Sequence, residues 1–573
     1  MQPPKLLSLG ALVLAAMGSP CAGAQGAPQN TTSRSVGLPS SGSLLRNNPI
    51  LSAPAEPHGT EEQKLQGNRP APAGTPTDNE ARVHVTRIEV DNVPKSLQAQ
   101  VAAVVTPYRD REMTLTDVRN VAIQVTEVLL DNGESISYAY VPPQDMVDGV
   151  VRLNILRGRV EAIELQHNRS LVHTSALQAY LDRGVTPSGD IHAAQDQLTR
   201  MSDLPGLGAI NSTLSPGKTP GGTVLSVDAE AGPRIEGVLV TDNAGSRLSG
   251  RNRAGAQVGI NSPLGFGDRL QAVFYGAPDA LQLNHDSDGG QTLIGRVSYD
   301  RPIGARGARL GLSVSRVDYT LGGLYQDLGE GYATVYSLYG SYPLARAQSY
   351  NLDLNGNLDY KRMSDSLLDS PNRRSAPALA VQLAGDGRSQ LAGLPNVLQY
   401  QIGVSRGDLH NDADWNGAQT RGRFLKAMQY AKLQQGLGRG LHLDLSINAQ
   451  QASRNLDGAE KMVLGGPNAV RAYSNDTASA DSGYVASLAL NMSVPKLKGV
   501  TALVFYDRAR ATVQKFVRRG ANAVSMDGYG FGLQLSIHNR ASVNLSYAIR
   551  RGSDPLLGKQ HRSVLWASAV VRF

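Results

Sequence analysis

The sequence predicts a membrane β-barrel of 16 antiparallel strands, preceded by two α+β modules that each run β-α-α-β-β. Three observations carry this. From Pro233 onward apolar and polar residues alternate with period two up to the terminal Phe573. Beyond the first 30 residues no apolar run approaches the roughly 20 that a membrane-spanning helix needs. Between Arg82 and Gly232 the period switches between two and 3.6 in the same order twice.

The amino terminus reads as a secretory signal. Lys5 gives a basic start, Leu6 to Met17 an apolar core, and Ala22-Gly23-Ala24 a small-residue cleavage site before Gln25. A lipoprotein signal using Cys21 is the rival, disfavoured by Pro20 and Ser19. Cys21 is the only cysteine, so a mature chain starting at Gln25 has no disulfide, thiol nucleophile or thiolate metal site. Residues 25–81 are rich in Pro, Gly, Ser, Asn and Gln and read as a linker. Six breakers from Pro28 to Pro54 rule out a long helix there, leaving Ser43 to Asn48 as the one place for a helical turn.

The first module covers 82–158. Val83 to Val90 opens as strand, Ser96 to Val105 as helix, and Thr114-Leu115-Thr116-Asp117 as a helix start. Val118, Val121, Val125, Val128 and Leu129 then form one helical face that stops before Gly133, followed by strands Ser135 to Val141 and Val150 to Leu156. The second module, 159–232, repeats the order: strand Val160 to Leu165, helices Thr174 to Asp182 and Ile191 to Ser202, strands Ala209 to Leu214 and Thr223 to Val227.

In residues 233–573 the strands are long. Leu441, Leu443, Leu445 and Ile447 alternate with His442, Asp444, Ser446 and Asn448, and Leu565 to Phe573 alternates with the final aromatic on the apolar side. Sixteen strands fit at about 21 residues for each strand and its connection, which suits outer-membrane strands of roughly ten residues. Short turns such as Ser262 to Gly267 and Pro495 to Lys498 alternate with longer loops such as Ala277 to Gly290, Ser364 to Ala376 and Leu456 to Ser482. A soluble β-sandwich also alternates, but strands this long, in even number and with uniformly polar second faces, do not build one common core.

Catalytic signals fail on context. Gly403-Val404-Ser405-Arg406-Gly407 resembles a nucleophile elbow, but Asp408 to Gly417 reads as loop where a helix is required. The Asp412 and Asn284 stretches start like calcium loops and lack the closing Glu, and Gly552 to Lys559 misses the phosphate-loop spacing. The ten His show no ligand spacing. No catalytic group, metal site or cofactor is expected. The net charge of +7 is scattered, which gives no argument for nucleic acid.

The order of signal, linker, two modules and a barrel ending in Phe573 resembles the two-partner-secretion transporters of the haemolysin-activator type, with two periplasmic POTRA domains. The residues that carry the resemblance are Asp242-Asn243-Ala244-Gly245 with Gly250 and Arg253, the turn from Asn261 to Asp268, Gly465 to Tyr473, and Phe505-Tyr506-Asp507. The resemblance implies an outer-membrane transporter that exports a large unfolded partner carrying an N-terminal secretion domain. It also implies insertion by the barrel-assembly machinery, for which Phe573 is the C-terminal signal. The family's loop motif, Val-Arg-Gly-Tyr, falls on Val470-Arg471-Ala472-Tyr473 in the sixth outer loop. Its Phe-x-Asp-x-Gly motif falls on Phe505, Asp507 and Ala509, with Phe505 and Asp507 on the lumen face and Val504 and Tyr506 toward lipid. A gating pair of Arg471 with Asp507 is therefore expected, supported by Val470, Tyr473 and Phe505. Ala472 and Ala509 stand where the family has Gly, which would be costly if either backbone needed a positive φ. The alternatives are a barrel-assembly insertase of the same superfamily, which usually carries more POTRA domains, and a passive porin, which carries none.

Overall fold

A computed structural model of the chain describes residues 39–46, 81–134, 136–219, 221–277, 289–347, 349–413, 418–517, 522–538, 540–552, 554–557 and 560–573. The predicted signal, almost all of the predicted linker and most of the two calcium-loop-like stretches fall outside these residues. The first described element is a six-residue helix, α1 (Ser41–Arg46).

The first module contains β1 (Val83–Val85), β2 (Arg87–Asp91), α2 (Gln98–Val105), β3 (Arg111–Met113), α3 (Leu115–Asp131), β4 (Tyr138–Tyr140) and β5 (Val150–Leu156). Its main sheet has the order β2-β5-β4, with β2 parallel and β4 antiparallel to β5. The pairing of β1 with β3 was not anticipated, because three-residue strands are too short to show a period. Helix α3 starts where the capping box places it. Thr114 Oγ1 accepts from the Asp117 amide at 3.1 Å, and Asp117 Oδ2 accepts from the Thr114 amide at 2.9 Å. Val118, Val121, Val125 and Leu129 bury against Val151, Leu153 and Ile155, and the chain leaves the helix through Gly133 at φ +91°.

The second module repeats the plan with β6 (Arg159–Asn168), α4 (Thr174–Gly184), α5 (Ile191–Ser202), β7 (Leu207–Pro216) and β8 (Gly222–Ala231), in sheet order β6-β8-β7. Asp190 caps α5 by accepting from the His192 amide at 2.9 Å. Leu177, Leu181, Leu198, Met201, Leu225 and Val227 form the core.

The barrel strands are β9 (Ile235–Asp242), β10 (Arg253–Asn261), β11 (Arg269–Ala277), β12 (Gln291–Pro302), β13 (Arg309–Thr320), β14 (Gly329–Arg346), β15 (Tyr350–Leu367), β16 (Ser370–Leu391), β17 (Leu394–Asn411), β18 (Gly422–Gly438) and β19 (Leu441–Ala452). After the loop ribbon of β20 (Met462–Val463) and β21 (Ser479–Ala480) come β22 (Ser482–Ser493), β23 (Val500–Thr512), β24 (Ala523–Ile537), β25 (Ala541–Arg551) and β26 (Ser563–Arg572). Each barrel strand pairs antiparallel with its neighbours, and β26 closes on β9, giving a closed barrel of 16 strands. Closure leaves no sheet edge in the hydrocarbon, which the absence of water there demands. Alternation sets the faces: Leu310, Leu312 and Val314 are exposed outward, whereas Ser313 and Ser315 turn inward. Phe573 exchanges both backbone hydrogen bonds with Gly237, at 2.9 and 3.0 Å, and its ring lies over that glycine.

Three expectations need correction. Ser364 to Ala376 is not a loop: β15 and β16 run on as a hairpin turning at Leu368 and Asp369, residue for residue in register. Its Ser, Asp, Pro and Asn content mimics a loop, but the inward residues Met363 and Ala376 pack with Ala333 and Leu409 above the membrane band. For the same reason Asp408 to Asn411 belongs to β17. Helix α1 also occupies Ser41–Arg46, where no stable plug helix was expected and only a turn at Ser43 to Asn48 was allowed. Such a segment is unstable alone. Here the Ser41 amide donates to Asp365 Oδ1 at 2.9 Å, and Leu44 packs among Tyr275, Ile294, Val317 and Tyr319 inside the barrel.

The second module is seated on the first three periplasmic turns. The His173 amide donates to the Gly265 carbonyl at 2.8 Å, and its ring meets Phe266 edge-on at 5.4 Å. Arg200 Nη1 donates to the carbonyls of Arg306 and Pro343 at 2.9 and 3.0 Å. Arg346 bridges Asp203 of the module and Asp353 of the wall, at 3.1 and 2.7 Å.

Candidate functional site: the sixth outer loop in the barrel lumen

Residues 453–481 connect β19 to β22 as the sixth outer loop, and they fold into the barrel instead of out into solvent. The chain turns back between the two strands of the β20–β21 ribbon, in a tight turn from Gly465 to Tyr473. Two local hydrogen bonds close it: the Val470 amide donates to the Leu464 carbonyl at 3.0 Å, and the Gly466 amide to the Tyr473 carbonyl at 2.8 Å. Val470 and Tyr473 are buried with Leu464, Ala509 and Met526, which fixes the direction in which Arg471 points.

That direction is toward β23. Arg471 Nε donates to Asp507 Oδ2 at 2.8 Å and Nη2 to Oδ1 at 2.6 Å, and the Arg471 amide adds a third bond to Oδ2 at 3.0 Å. A planar guanidinium meets both carboxylate oxygens, the geometry that fixes orientation as well as distance. Ser487, directly opposite Asp507 on β22, donates to Oδ1 at 2.7 Å and accepts from Arg471 Nη2 at 2.8 Å. The guanidinium carbon lies 3.4 Å from the Phe505 ring centroid. Trp566 on β26 donates its indole N–H to the Arg471 carbonyl at 2.7 Å. The Asp507 side chain is fully buried and that of Arg471 only 14% exposed, so the pair is shielded from solvent.

The structure thus brings together the residues that the resemblance singles out: Val470, Arg471, Tyr473, Phe505 and Asp507. Neither Ala472 nor Ala509 has a positive φ, so neither alanine is strained. The Ala472 methyl projects over Gly528 of β24, where an added Cβ would lie only 2.4 Å away.

A second anchor was not read from the sequence. Glu460 in the loop's first limb pairs with Lys361 of β15 and, at 2.7 Å, with Lys426 of β18. Burial pushes the Glu460 carboxyl up, but the two ammonium groups outweigh it and hold it below the usual carboxylate range. Asp457 pairs with Arg374, which also pairs with Asp365, the residue that accepts from the Ser41 amide of α1. Lys361 lies on the inward parity of β15, which was the available signal, but nothing in the sequence names its partner 99 residues away. The loop's last limb reaches the first outer loop, between β9 and β10, where Asp476 accepts from Ser246 Oγ at 2.9 Å. Below the loop, Ser313, Ser337, Asn355, Asn357, Lys361 and Glu460 border a polar lumen cavity of about 610 Å³.

Comparison with known proteins identifies the family of the chain. Residues 221–535 match the family described as haemolysin secretion/activation protein ShlB/FhaC/HecB, and residues 83–158 match the ShlB-type POTRA domain. The heme/hemopexin transporter protein HuxB of Haemophilus influenzae is 23% identical over 493 residues, covering 83% of this chain and 84% of that protein. The outer membrane transporter CdiB of Dickeya dadantii is 24% identical over 421 residues, covering 72% and 73%. The solved structure of CdiB from Escherichia coli superposes with a TM-score of 0.63 at 18% identity, covering 93% of this chain and 95% of that one, a likeness of fold. The chain therefore belongs to the ShlB/FhaC/HecB family of haemolysin secretion/activation proteins, the outer-membrane transporters of two-partner secretion, with its POTRA domains in the periplasm.

Proposed function

We propose that the chain exports one large, unfolded exoprotein, recognised through that partner's N-terminal secretion domain, and that the Arg471–Asp507 pair is the gate. The observation that carries this reading is the sixth loop held inside a polar lumen by a forked, buried ion pair to the wall. A loop so placed obstructs a passing chain, so export requires it to move. The POTRA domains supply the capture step. Strands β2 and β4 are the two edges of one sheet and β6 and β7 the two edges of the other, each able to take an extended segment by β-augmentation. Inward-facing serines and asparagines keep that segment hydrated as it passes. No chemical step and no cofactor enter the scheme; folding of the cargo outside makes passage irreversible. Phe573, closing β26 onto Gly237, serves as the signal read by the barrel-assembly machinery.

The test compares proteins in the culture medium with and without the gene. Loss of one very large protein is the expected result, and loss of many outer-membrane barrels would overturn the reading in favour of an insertase. Deleting residues 83–232 should leave pore conductance and abolish export.

A further inference from the structure

The lipid-facing side carries an arrangement that export does not use. On β13, β14, β15 and β16 the residues Arg316, Thr334, Arg362 and Ser375 stand directly opposite one another, in one row across the four strands. They share the outward parity of Leu312, Val314, Leu358 and Leu379, which are exposed. On β13, β15 and β16 the row marks the change from apolar to polar, and on β14 it is followed outward by Tyr332 and then Glu330. Toward the periplasm lie Leu310 to Val314, Leu338, Leu354 to Tyr360, and Leu379 to Leu383; away from it lie Asp318, Ser364 and Arg373. The row is therefore the outer border of the apolar band, at the headgroups of the external leaflet.

Arg373 on β16 is paired with Ser364, which puts it diagonally next to Arg362, at about 7–8 Å between backbones. Both arginines are exposed, and among the described residues neither side chain has an ion pair with a carboxylate. Arg362 lies over the Tyr360 ring at 5.5 Å and Arg316 over the Tyr332 ring at 4.7 Å, stacking that holds the guanidinium planes against the barrel. Arg316 is already engaged by Asp318 of its own strand, with contacts of 2.7 to 3.1 Å, and Glu330 is the carboxylate on the outward face of β14. Two like charges on neighbouring strands repel, and bordering hydrocarbon raises that cost. A doubly acceptor-rich anion between them removes it, and Ser375 and Thr334 add hydroxyl donors on either side of Arg362.

We propose that Arg362, Arg373, Ser375 and Thr334, extended by Arg316, form a binding site for the phosphorylated headgroup of an outer-leaflet lipid, whose acyl chains lie along Leu358, Leu379 and Val381. Charge complementarity selects phosphate, and the adjoining apolar band selects a lipid over a free anion. The site tethers the β13–β16 wall, from which Lys361 and Arg374 hold the sixth loop on the inner side, to the surrounding membrane.

The test uses the full-length chain purified in a nonionic detergent, with retained lipid counted by native mass spectrometry. The probes are diphosphoryl lipid A and phosphatidylethanolamine, with inorganic phosphate as competitor. Wild type retains lipid A over phosphatidylethanolamine; Arg362→Gln and Arg373→Gln each lower retention about fivefold, and the double variant about 25-fold. Asp318→Asn, which frees Arg316, raises it. Arg362→Lys keeps the charge and loses only part, a comparison that survives if the double variant folds poorly. Folding is checked by the gel mobility shift on heating. Equal retention by wild type and variants, equal retention of the two lipids, or displacement of lipid A by inorganic phosphate would each overturn the proposal.

Discussion

Replacing Asp507 by Ala removes the acceptor of four hydrogen bonds: three from Arg471, through its amide, Nε and Nη2, and one from Ser487 Oγ. The guanidinium stays behind, 14% exposed, with the Ser487 hydroxyl and the Phe505 ring as its remaining contacts. Breaking a buried pair by deleting one member costs roughly 3–5 kcal/mol, and the surviving contacts recover about 1 kcal/mol of it. The net loss of about 2–4 kcal/mol lowers the ratio of seated to released loop by about 30- to 700-fold, at about 1.4 kcal/mol per factor of ten. Arg471→Ala leaves a fully buried carboxylate unpaired and should cost at least as much. The double variant leaves no stranded charge, so its deficit should be well below the sum of the single ones. Export into the medium should fall in both single variants while the barrel still assembles, as judged by heat-dependent gel mobility, and spontaneous openings in planar bilayers should become more frequent. Normal export by both single variants, or strictly additive deficits in the double, would refute the gate.

Glu460→Gln leaves the Lys361 and Lys426 ammonium groups facing an amide, and should release the loop's first limb at a cost of about 2–4 kcal/mol, read as new protease sites in residues 453–464. Because the folded Glu460 carboxyl is held below its unfolded value, its stabilising contribution is complete above the ordinary carboxylate range and is lost only in stronger acid. Loop protection in the wild type should therefore be flat from about pH 5 to 8. Gly528→Ala drives a methyl into Ala472 and should lower the barrel's denaturation midpoint by an amount equivalent to about 1–3 kcal/mol, with Ala472→Gly restoring it. Thr114→Ala removes the cap of α3 and should destabilise the first module by about 1 kcal/mol without altering pore conductance, measurable by amide exchange along residues 115–131.

How far the sequence could be read depends on the range over which each feature is encoded. Barrel strands are legible because oil outside and water inside impose a period of two on every strand, and α3 is legible because Thr114 and Asp117 write its start within four residues. Strand ends are less so. β15 and β16 extend past the membrane, where the outward face has no reason to be apolar, and Ser364 to Ala376 consequently looks like a loop. Arg471 and Asp507, 36 residues apart, were found through motifs shared with a family, since periodicity alone gave only their faces. Glu460 with Lys361 and Lys426 joins three separate elements, and each residue alone looks like an ordinary hydrated charge. Helix α1 was missed because its stability resides in Asp365 and in the niche around Leu44, not in its own six residues.

The seating of the second module has a geometric outcome. His173, Arg200 and Arg346 fasten it beneath the hairpin ends between β10 and β15, so the vestibule is roofed along one arc of its rim. The strands outside that arc, β16 to β25, include β23, so Asp507 and the loop it anchors stand on the part of the wall that these module contacts leave untouched.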